Sequence, residues 1–508
     1  MFSSVNSVGL FGLNAFPVTV EADSSPGQPS FDVVGMVDIA VQESKARIRA
    51  VMSNMGLKIF GGKITVNLAP ASVKKIGSMF DVPISMALLK IGGVVDGDWS
   101  DTAFIGELSL DGRLAPINGV LSMTLTAAQH GIKRIFLPAA NAKEASVADG
   151  IEVYGAEHIS QIIEFLAHGT GLKREPRYIP ADARRVPLED FADVMGQFAA
   201  KKAIEVAAAG SHNILMLGPP GSGKSMLAKR IPSILPKITF AESIETTQIH
   251  SVAGIIDPNE PLVTGRPFRA VSHTASSVGL VGGGSIPRPG EISLAHNGVL
   301  FLDELPEFDR RVLETLRQPL ENGDITISRA SGSVTYPCNV MLVAAMNPCP
   351  CGNFGNPLKK CVCSDKQVSG YLNKISQPVL DRIDIQIEVK PVKYEELSNR
   401  RPQESSAVIA ERVQRARDIQ AERFKGTQIR ANSGITSDII ADVCQMTDNA
   451  AEMLRRAFDK LGLSARAYDR ILKVARTCAD LDGSDYLQKS HISQAINFRS
   501  LDRKYWSR

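Results

Sequence analysis

The 508-residue chain has no stretch of 18 or more apolar residues, and Met1 to Val20 lack the Lys/Arg-led apolar core of a signal peptide. These absences argue against a spanning helix and against export, and predict a cytoplasmic protein with no membrane partner. No repeat of 20 to 50 residues is visible, which removes solenoids and propellers. Charge of one sign is scarce: 57 Lys and Arg against 54 Asp and Glu leave a net +3, so no basic tail advertises nucleic acid. Seven cysteines, an odd number in a long unsecreted chain, do not read as a disulfide framework. What is present is ordinary globular material, 44% hydrophobic and 22% charged, with 41 Gly and 28 Pro. The length is about three times that of a usual domain and predicts two to four domains.

The charge is unevenly placed. Residues 1–168 hold 12 Lys/Arg against 16 Asp/Glu, and residues 391–508 hold 21 against 16. A basic helical segment suits either a polyanion surface or a solvated helical face.

The first third alternates β-branched runs with helical ones. Gly56 to Leu68 predicts a strand pair, Val82 to Ile91 a buried helix and Arg134 to Leu137 a strand, together an α/β domain over 1–168 that ends in the amphipathic run Ile159 to Ala167. Gly169 to Pro187 has Gly, Pro and charge without period and predicts a linker over 169–187. From 188 to 390, the apolar runs Ile214 to Leu217, Val299 to Leu302 and Val340 to Ala345 alternate with helical stretches, the pattern of a parallel sheet. Beyond Pro402 the pattern is helical, with amphipathic segments near Ser405 to Phe424, Ser437 to Leu461, Ala465 to Leu481 and Ser490 to Leu501, giving an all-α domain over 391–508.

Gly218-Pro219-Pro220-Gly221-Ser222-Gly223-Lys224-Ser225 fits G-x-x-x-x-G-K-[ST] between a predicted strand and a predicted helix. Its glycines let backbone N–H groups turn toward phosphate oxygens, Lys224 reaches the β/γ-phosphates, and the Ser225 hydroxyl can hold Mg²⁺. ATP and Mg²⁺ are the implied cofactors. Further on, the apolar strand Val299 to Leu302 ends in Asp303-Glu304, and carboxylates there are costly without a task. Asp303 suits Mg²⁺, and Glu304 suits orienting and deprotonating the attacking water. A third strand runs into Asn347, whose amide suits the γ-phosphate and the water. Arg382, in Leu380-Asp381-Arg382-Ile383-Asp384, is either a surface ion pair or a finger inserted into a neighbouring subunit's site.

In this order, followed by a helical lid, these residues resemble an AAA+ ATPase, and Asp190 to Gln197 resembles its element lining the adenine pocket. Arg266-Pro267-Phe268-Arg269, Gly282-Gly283-Gly284, Pro289-Gly290-Glu291-Ile292-Ser293-Leu294-Ala295-His296 and Leu300-Phe301-Leu302-Asp303-Glu304-Leu305-Pro306-Glu307-Phe308 resemble the magnesium-chelatase-like branch, in particular the ComM (YifB) family, over nearly the whole chain. Gly254 to Gly290 is a Gly/Pro-rich insertion too long for an ordinary connection. Ile325 to Thr335 alternates branched and polar residues around Ser331-Gly332, the pattern of a hairpin. The resemblance implies that both elements face the pore of a hexamer, where Arg329 at the hairpin tip touches a phosphate backbone or is simply a solvated turn arginine. It also implies that Arg466, rather than Arg470 one turn later, is the second sensor of the γ-phosphate; a surface ion pair is the alternative reading.

Cys349-Pro350-Cys351 and Cys361-Val362-Cys363 place four thiols within fifteen residues, with Gly352, Gly355 and Pro357 permitting a tight return. They form either a structural Zn²⁺ site or a set of reduced thiols. Cys338, Cys444 and Cys478 stand among apolar residues and read as packing groups.

Gly106 to Gly119, with Ile132 to Pro138, resembles the proteolytic domain of Lon. That resemblance puts Asp81 where the nucleophilic Ser belongs and Leu121 where the Lys base belongs, so the dyad is absent unless Ser78 and Lys74 or Lys75 supply a shifted one. The recombination protein RadA carries a similar inactive domain, which suggests a role in assembly and DNA contact. Three functions follow: an ATP-driven homo-hexameric motor that migrates single-stranded and branched DNA in recombination, tied through ComM to natural transformation; the motor subunit of a magnesium chelatase; and a protease or unfoldase.

Overall fold

The run Ile214–Leu217 is apolar throughout because both its faces are covered. Ile214 and Met216 pack on one side with Val299, Phe301, Val343 and Ile385, and Leu215 and Leu217 on the other with Leu300, Leu302, Leu342 and Ala344. In the computed structural model, which describes residues 1–57, 61–180, 189–330, 332–356, 358–392, 403–461, 463–501 and 505–506, this strand lies in a five-stranded parallel sheet. The order is Phe268–Val271, Val299–Leu302, Met341–Met346, Ile214–Leu217, Ile385–Glu388. In register, Leu217 lies beside Met346 and Glu388, and Leu302 beside Ala344, so the turns that leave these strands gather at one edge of the sheet. The stretch 254–290 is therefore not insertion throughout. Phe268–Val271 is an edge strand of the core, hidden in the sequence because Arg269 interrupts its apolar character and pairs through its guanidinium with Glu291 at 2.6 and 2.8 Å. Ile385–Glu388 escaped for a similar reason, alternating Ile with Gln and Glu.

The helix Phe198–Gly210 is buried between this sheet and the C-terminal helices. The expected segments are helices Ser406–Arg423, Ala465–Leu481 and Lys489–Asn497, while Ser437 to Leu461 divides into Ile440–Val443 and Asp448–Leu461. Ile409, Val413, Ala416, Ile471 and Ala475 join the same apolar cluster as Ala203 and Ala207, so the C-terminal helices share the core of the parallel-sheet unit. Ion pairs fasten it: Arg412 to Glu205 at 2.5 Å and Arg430 to Glu245 at 3.0 Å.

The N-terminal part is a seven-stranded mixed sheet in the order Ser30–Val34, Lys63–Ala69, Asn14–Ser25, Phe2–Phe11, Thr102–Phe104, Arg134–Pro138, Glu152–Ala156. Of the strand pair expected over Gly56 to Leu68, residues 58–60 lie outside the described residues; Lys63–Ala69 is a strand, and its partners are instead Asn14–Ser25, antiparallel, and Ser30–Val34, parallel. Pairing with strands distant in sequence leaves no local signal. Helices Asp81–Ile91 and Ile159–His168 cover this sheet, as the periodicity predicts.

Helix Val120–Gln129 docks the N-terminal part on helix Phe240–Ala253 of the parallel-sheet unit. Leu121, Val147 and Leu262 form an apolar contact. Gly119 N–H donates to Ser251 O at 3.3 Å and Gln248 to Ser122 Oγ at 3.2 Å. The Ser251 hydroxyl donates to the Glu144 carboxylate, whose burial raises its pKa. Residues 181–187 of the expected linker, Ser331, Pro357 and Pro402 lie outside the described residues. Among the described residues no helix is long and apolar enough to cross a membrane.

Candidate active site

The loop Gly218 to Gly223 leaves the carboxyl end of Ile214–Leu217 and runs into helix Lys224–Arg230. Gly223 sits at φ +92°, a left-handed conformation that a side chain would strain, and this bend brings Lys224 back inside the loop. Its Nζ donates to Gly218 O at 2.7 Å, Pro219 O at 3.1 Å and Asn347 Oδ1 at 3.1 Å. Burial lowers the pKa of this ammonium, and the charges of Asp303 and Glu304 oppose that shift. Gln197, from the element expected to line the adenine pocket, donates to Ser222 O at 3.2 Å and to Lys390 O at 2.7 Å, tying that element to the loop.

Asp303 follows strand Val299–Leu302, and its Oδ2 accepts from Ser225 Oγ at 2.6 Å. The two oxygens expected to hold Mg²⁺ thus adjoin, which is the donor set a hard cation takes. Ser225 and Asp303 would hold the ion, and when bound it neutralises charge on the β/γ-phosphates. Glu304 adopts φ +53°, strained for a residue with a side chain; its N–H donates to Asp303 Oδ1 at 2.9 Å. Such strain accumulates at functional sites, and here it turns the Glu304 carboxylate to the mouth of a cleft of about 340 Å³. Lys224, Ser225, Asp303, Glu304 and Asn347 all line this cleft. Sequence reasoning missed one residue here: His273, two residues past the edge strand Phe268–Val271, places Nδ1 3.3 Å from Glu304 Oε2. The signal was its position at the carboxyl end of a strand, legible only once that strand is known.

Arg382 and Arg466 are not in this cleft. Both line a second cavity, of about 530 Å³, at the opposite edge of the sheet, where Asn213, Met341 and Asp384 mark the amino ends of three strands. Arg382 donates to Arg317 O at 3.2 Å, Pro378 O at 2.9 Å and the Glu321 carboxylate. Arg466 is 75% exposed and lies 3.8 Å from Asp381, and Arg470 lies 3.6 Å from Asp384. Arg266, Arg417, Arg430 and Lys473 line the same cavity, so it is strongly basic.

The hairpin forms as Asp324–Arg329 and Gly332–Pro337, with Arg329 opposite Gly332. Arg329 is exposed and donates to Gly284 O at 3.3 Å and Ser328 O at 2.9 Å.

The four clustered thiols converge. Cys349, Cys351 and Cys361 have Sγ separations of 3.4, 3.7 and 3.6 Å, and all four sulfurs lie within 4.8 Å of one another. Zn–S bonds of about 2.3 Å in a tetrahedron require sulfurs about 3.8 Å apart, so the cage fits. Backbone N–H groups of Val362 and Asn353 lower the Cys351 thiol to about 6, while burial pushes its neighbour Cys349 up to about 12. The cage abuts the phosphate loop: a Cβ on Gly352 would lie 2.4 Å from Pro220 Cδ. Cys338, Cys444 and Cys478 are buried singly, and burial pushes each up to about 12, as expected of packing residues.

In the N-terminal sheet Asp81 is fully buried and accepts from Arg47 at 2.7 and 3.0 Å and from Leu108 N–H at 3.1 Å. Leu121 is in the docking contact. Ser78 donates to Glu107 and Lys75 to Pro70 O, so these two have different partners, and Lys74 is exposed.

Three family models match the chain: magnesium chelatase subunit ChlI over residues 190–397, a second model of subunit ChlI over 20–141, and the subunit ChlI C-terminal region over 403–499. Competence protein ComM of Haemophilus influenzae is 41% identical across 98% of this chain and 97% of its own length. Protein YifB of Escherichia coli is 40% identical across 99% and 97%. Lon protease of Mycolicibacterium smegmatis is 28% identical across 30% of this chain and 21% of its own length.

Proposed function

The chain belongs to the ComM/YifB family of magnesium-chelatase-like AAA+ proteins, and from that premise we propose that it is an ATP-driven homo-hexameric motor that migrates branches in recombination intermediates. In this reading residues 1–168 are a Lon-like domain without a catalytic dyad, 169–187 a linker, 188–390 the ATPase core and 391–508 the lid. The protein works in the cytoplasm, on DNA taken up in natural transformation if the role named for the Haemophilus relative is shared. Lys224 and the loop N–H groups bind the ATP phosphates, Glu304 takes the proton of the attacking water, and Asn347 orients that water. Arg382 and Arg466 serve a neighbour's nucleotide, since they share a basic cavity on the edge of the sheet away from their own phosphate loop. Cys349, Cys351, Cys361 and Cys363 hold Zn²⁺, a structural ion beside that loop.

The observation that carries the DNA reading is the hairpin of residues 324–337. It leads directly into the strand that ends at Asn347 and exposes Arg329 beside the insertion, so a cation free to touch a phosphate backbone is built onto the strand that senses ATP. The test is hydrolysis and strand displacement with single-stranded and branched three-strand DNA. Stimulated hydrolysis and ATP-dependent displacement are expected. Displacement of no branch, together with faster magnesium insertion into a porphyrin when chelatase partners are added, would replace this reading with that of a chelatase motor. The protease reading has nothing to work with in Asp81 and Leu121.

A further inference from the structure

The turn joining the first two strands of the N-terminal sheet reaches out of its own sheet. Phe11 and Leu13 lie against the ATPase cluster that contains Ile325, Ile327, Val334 and Tyr336, the inward face of the hairpin. A Cβ on Gly12 would lie 2.2 Å from a Val334 methyl, and one on Gly332 2.8 Å from the Phe11 ring, so glycine on each side is what allows the approach. The opposite flank of the hairpin is held by the insertion. Tyr336 donates its hydroxyl to Pro287 O at 2.8 Å, and Arg329 donates to Gly284 O. Thr326, Ser328, Ser333 and Thr335 point outward and are exposed. A two-stranded hairpin with one wet face is marginal alone and takes its order from whatever covers the other face. Part of that cover comes from the N-terminal domain, which is itself anchored on helix Phe240–Ala253 through Gly119, Ser122 and Glu144.

We propose that Phe11–Leu13 is a positioning element that fixes where the hairpin presents Arg329, so that the N-terminal domain, having no catalytic dyad, serves as the strut of the DNA grip. The consequence for DNA rests on the motor reading; the ordering of the hairpin does not. The test uses the full chain with Phe11→Ala and Phe11→Leu. Hydrogen exchange of amides 324–337 should rise about fivefold in Phe11→Ala and return toward wild type in Phe11→Leu. Basal hydrolysis and nucleotide affinity should stay within about twofold, while the DNA-stimulated part of hydrolysis is lost. Exchange needs no DNA, so a wild-type protein indifferent to every DNA would sink the motor reading and leave the hairpin measurement to decide this one. Unchanged exchange in a folded Phe11→Ala protein, or exchange rising equally over the whole N-terminal sheet, overturns the proposal. If Phe11→Ala does not fold, Leu13→Ala carries the same comparison.

Discussion

In the proposed mechanism Lys224 serves binding and Glu304 chemistry, and substitutions should separate the two. The Lys224 ammonium is held by two carbonyls and the Asn347 amide inside the phosphate loop, where each charge-assisted bond it would make to phosphate is worth about 1.5–3 kcal/mol. Lys224→Ala should therefore weaken nucleotide binding roughly ten- to a hundredfold, read by titration of a fluorescent ATP analogue. The Glu304 carboxylate lines the cleft beside His273. Glu304→Gln should bind ATP normally and lose about 10²- to 10⁴-fold in turnover, the usual worth of a positioned base. Wild-type turnover in that variant would remove Glu304 from the mechanism. Arg329 is judged by a different readout. Arg329→Ala should leave basal hydrolysis near wild type, lower DNA affinity equally for all sequences, and reduce the slope of log affinity against log salt by about one.

Among the elements, the cysteine loop has the sharpest expected outcome. Purified without chelators, the protein should carry about one Zn²⁺ per chain, and Cys349→Ser with Cys361→Ser should lose it. Because Gly352 rests on Pro220, zinc loss should also weaken ATP binding, which a purely remote clip would not do. Metal analysis finding no zinc would leave reduced thiols. Elements of this kind were legible in the sequence because their chemistry is local: the phosphate loop, Asp303-Glu304 at a strand end, C-x-C twice, and a lid helix over Ala465–Leu481 all sit within short windows. What escaped was set by distant partners. Phe268–Val271 becomes a strand through its neighbour Val299–Leu302 and through Glu291, which neutralises Arg269. Lys63–Ala69 takes its pairing from residues 14–34. The position of Arg466 across the sheet from its own phosphate loop depends on how the lid docks on Phe198–Gly210, which no local pattern encodes.

At the scale of the whole molecule, the proposed motor places one half of a site at the carboxyl edge of its sheet and the other half at the amino edge, an arrangement that requires subunits to meet head to tail. Mixing inactive Lys224→Ala with inactive Arg382→Ala protein should then restore hydrolysis. In rings assembled at random from equal parts, about a quarter of the interfaces are intact on both sides, and about a quarter of wild-type activity is expected. No recovery in mixed rings proven to form would mean that Arg382 serves its own subunit or none. Strand Met341–Met346 adds a mechanical constraint. It is laddered on both sides, to Val299–Leu302 and Ile214–Leu217, with the hairpin joined at one end and Asn347 at the other. Such a strand is a connecting rod about 20 Å long that can neither slide nor shorten without tearing two ladders. If the protein is the proposed motor, the throw of the hairpin is the tilt of the entire subunit, and a tilt of about 10° about the nucleotide end would carry it some 3 Å, roughly the axial rise of one nucleotide.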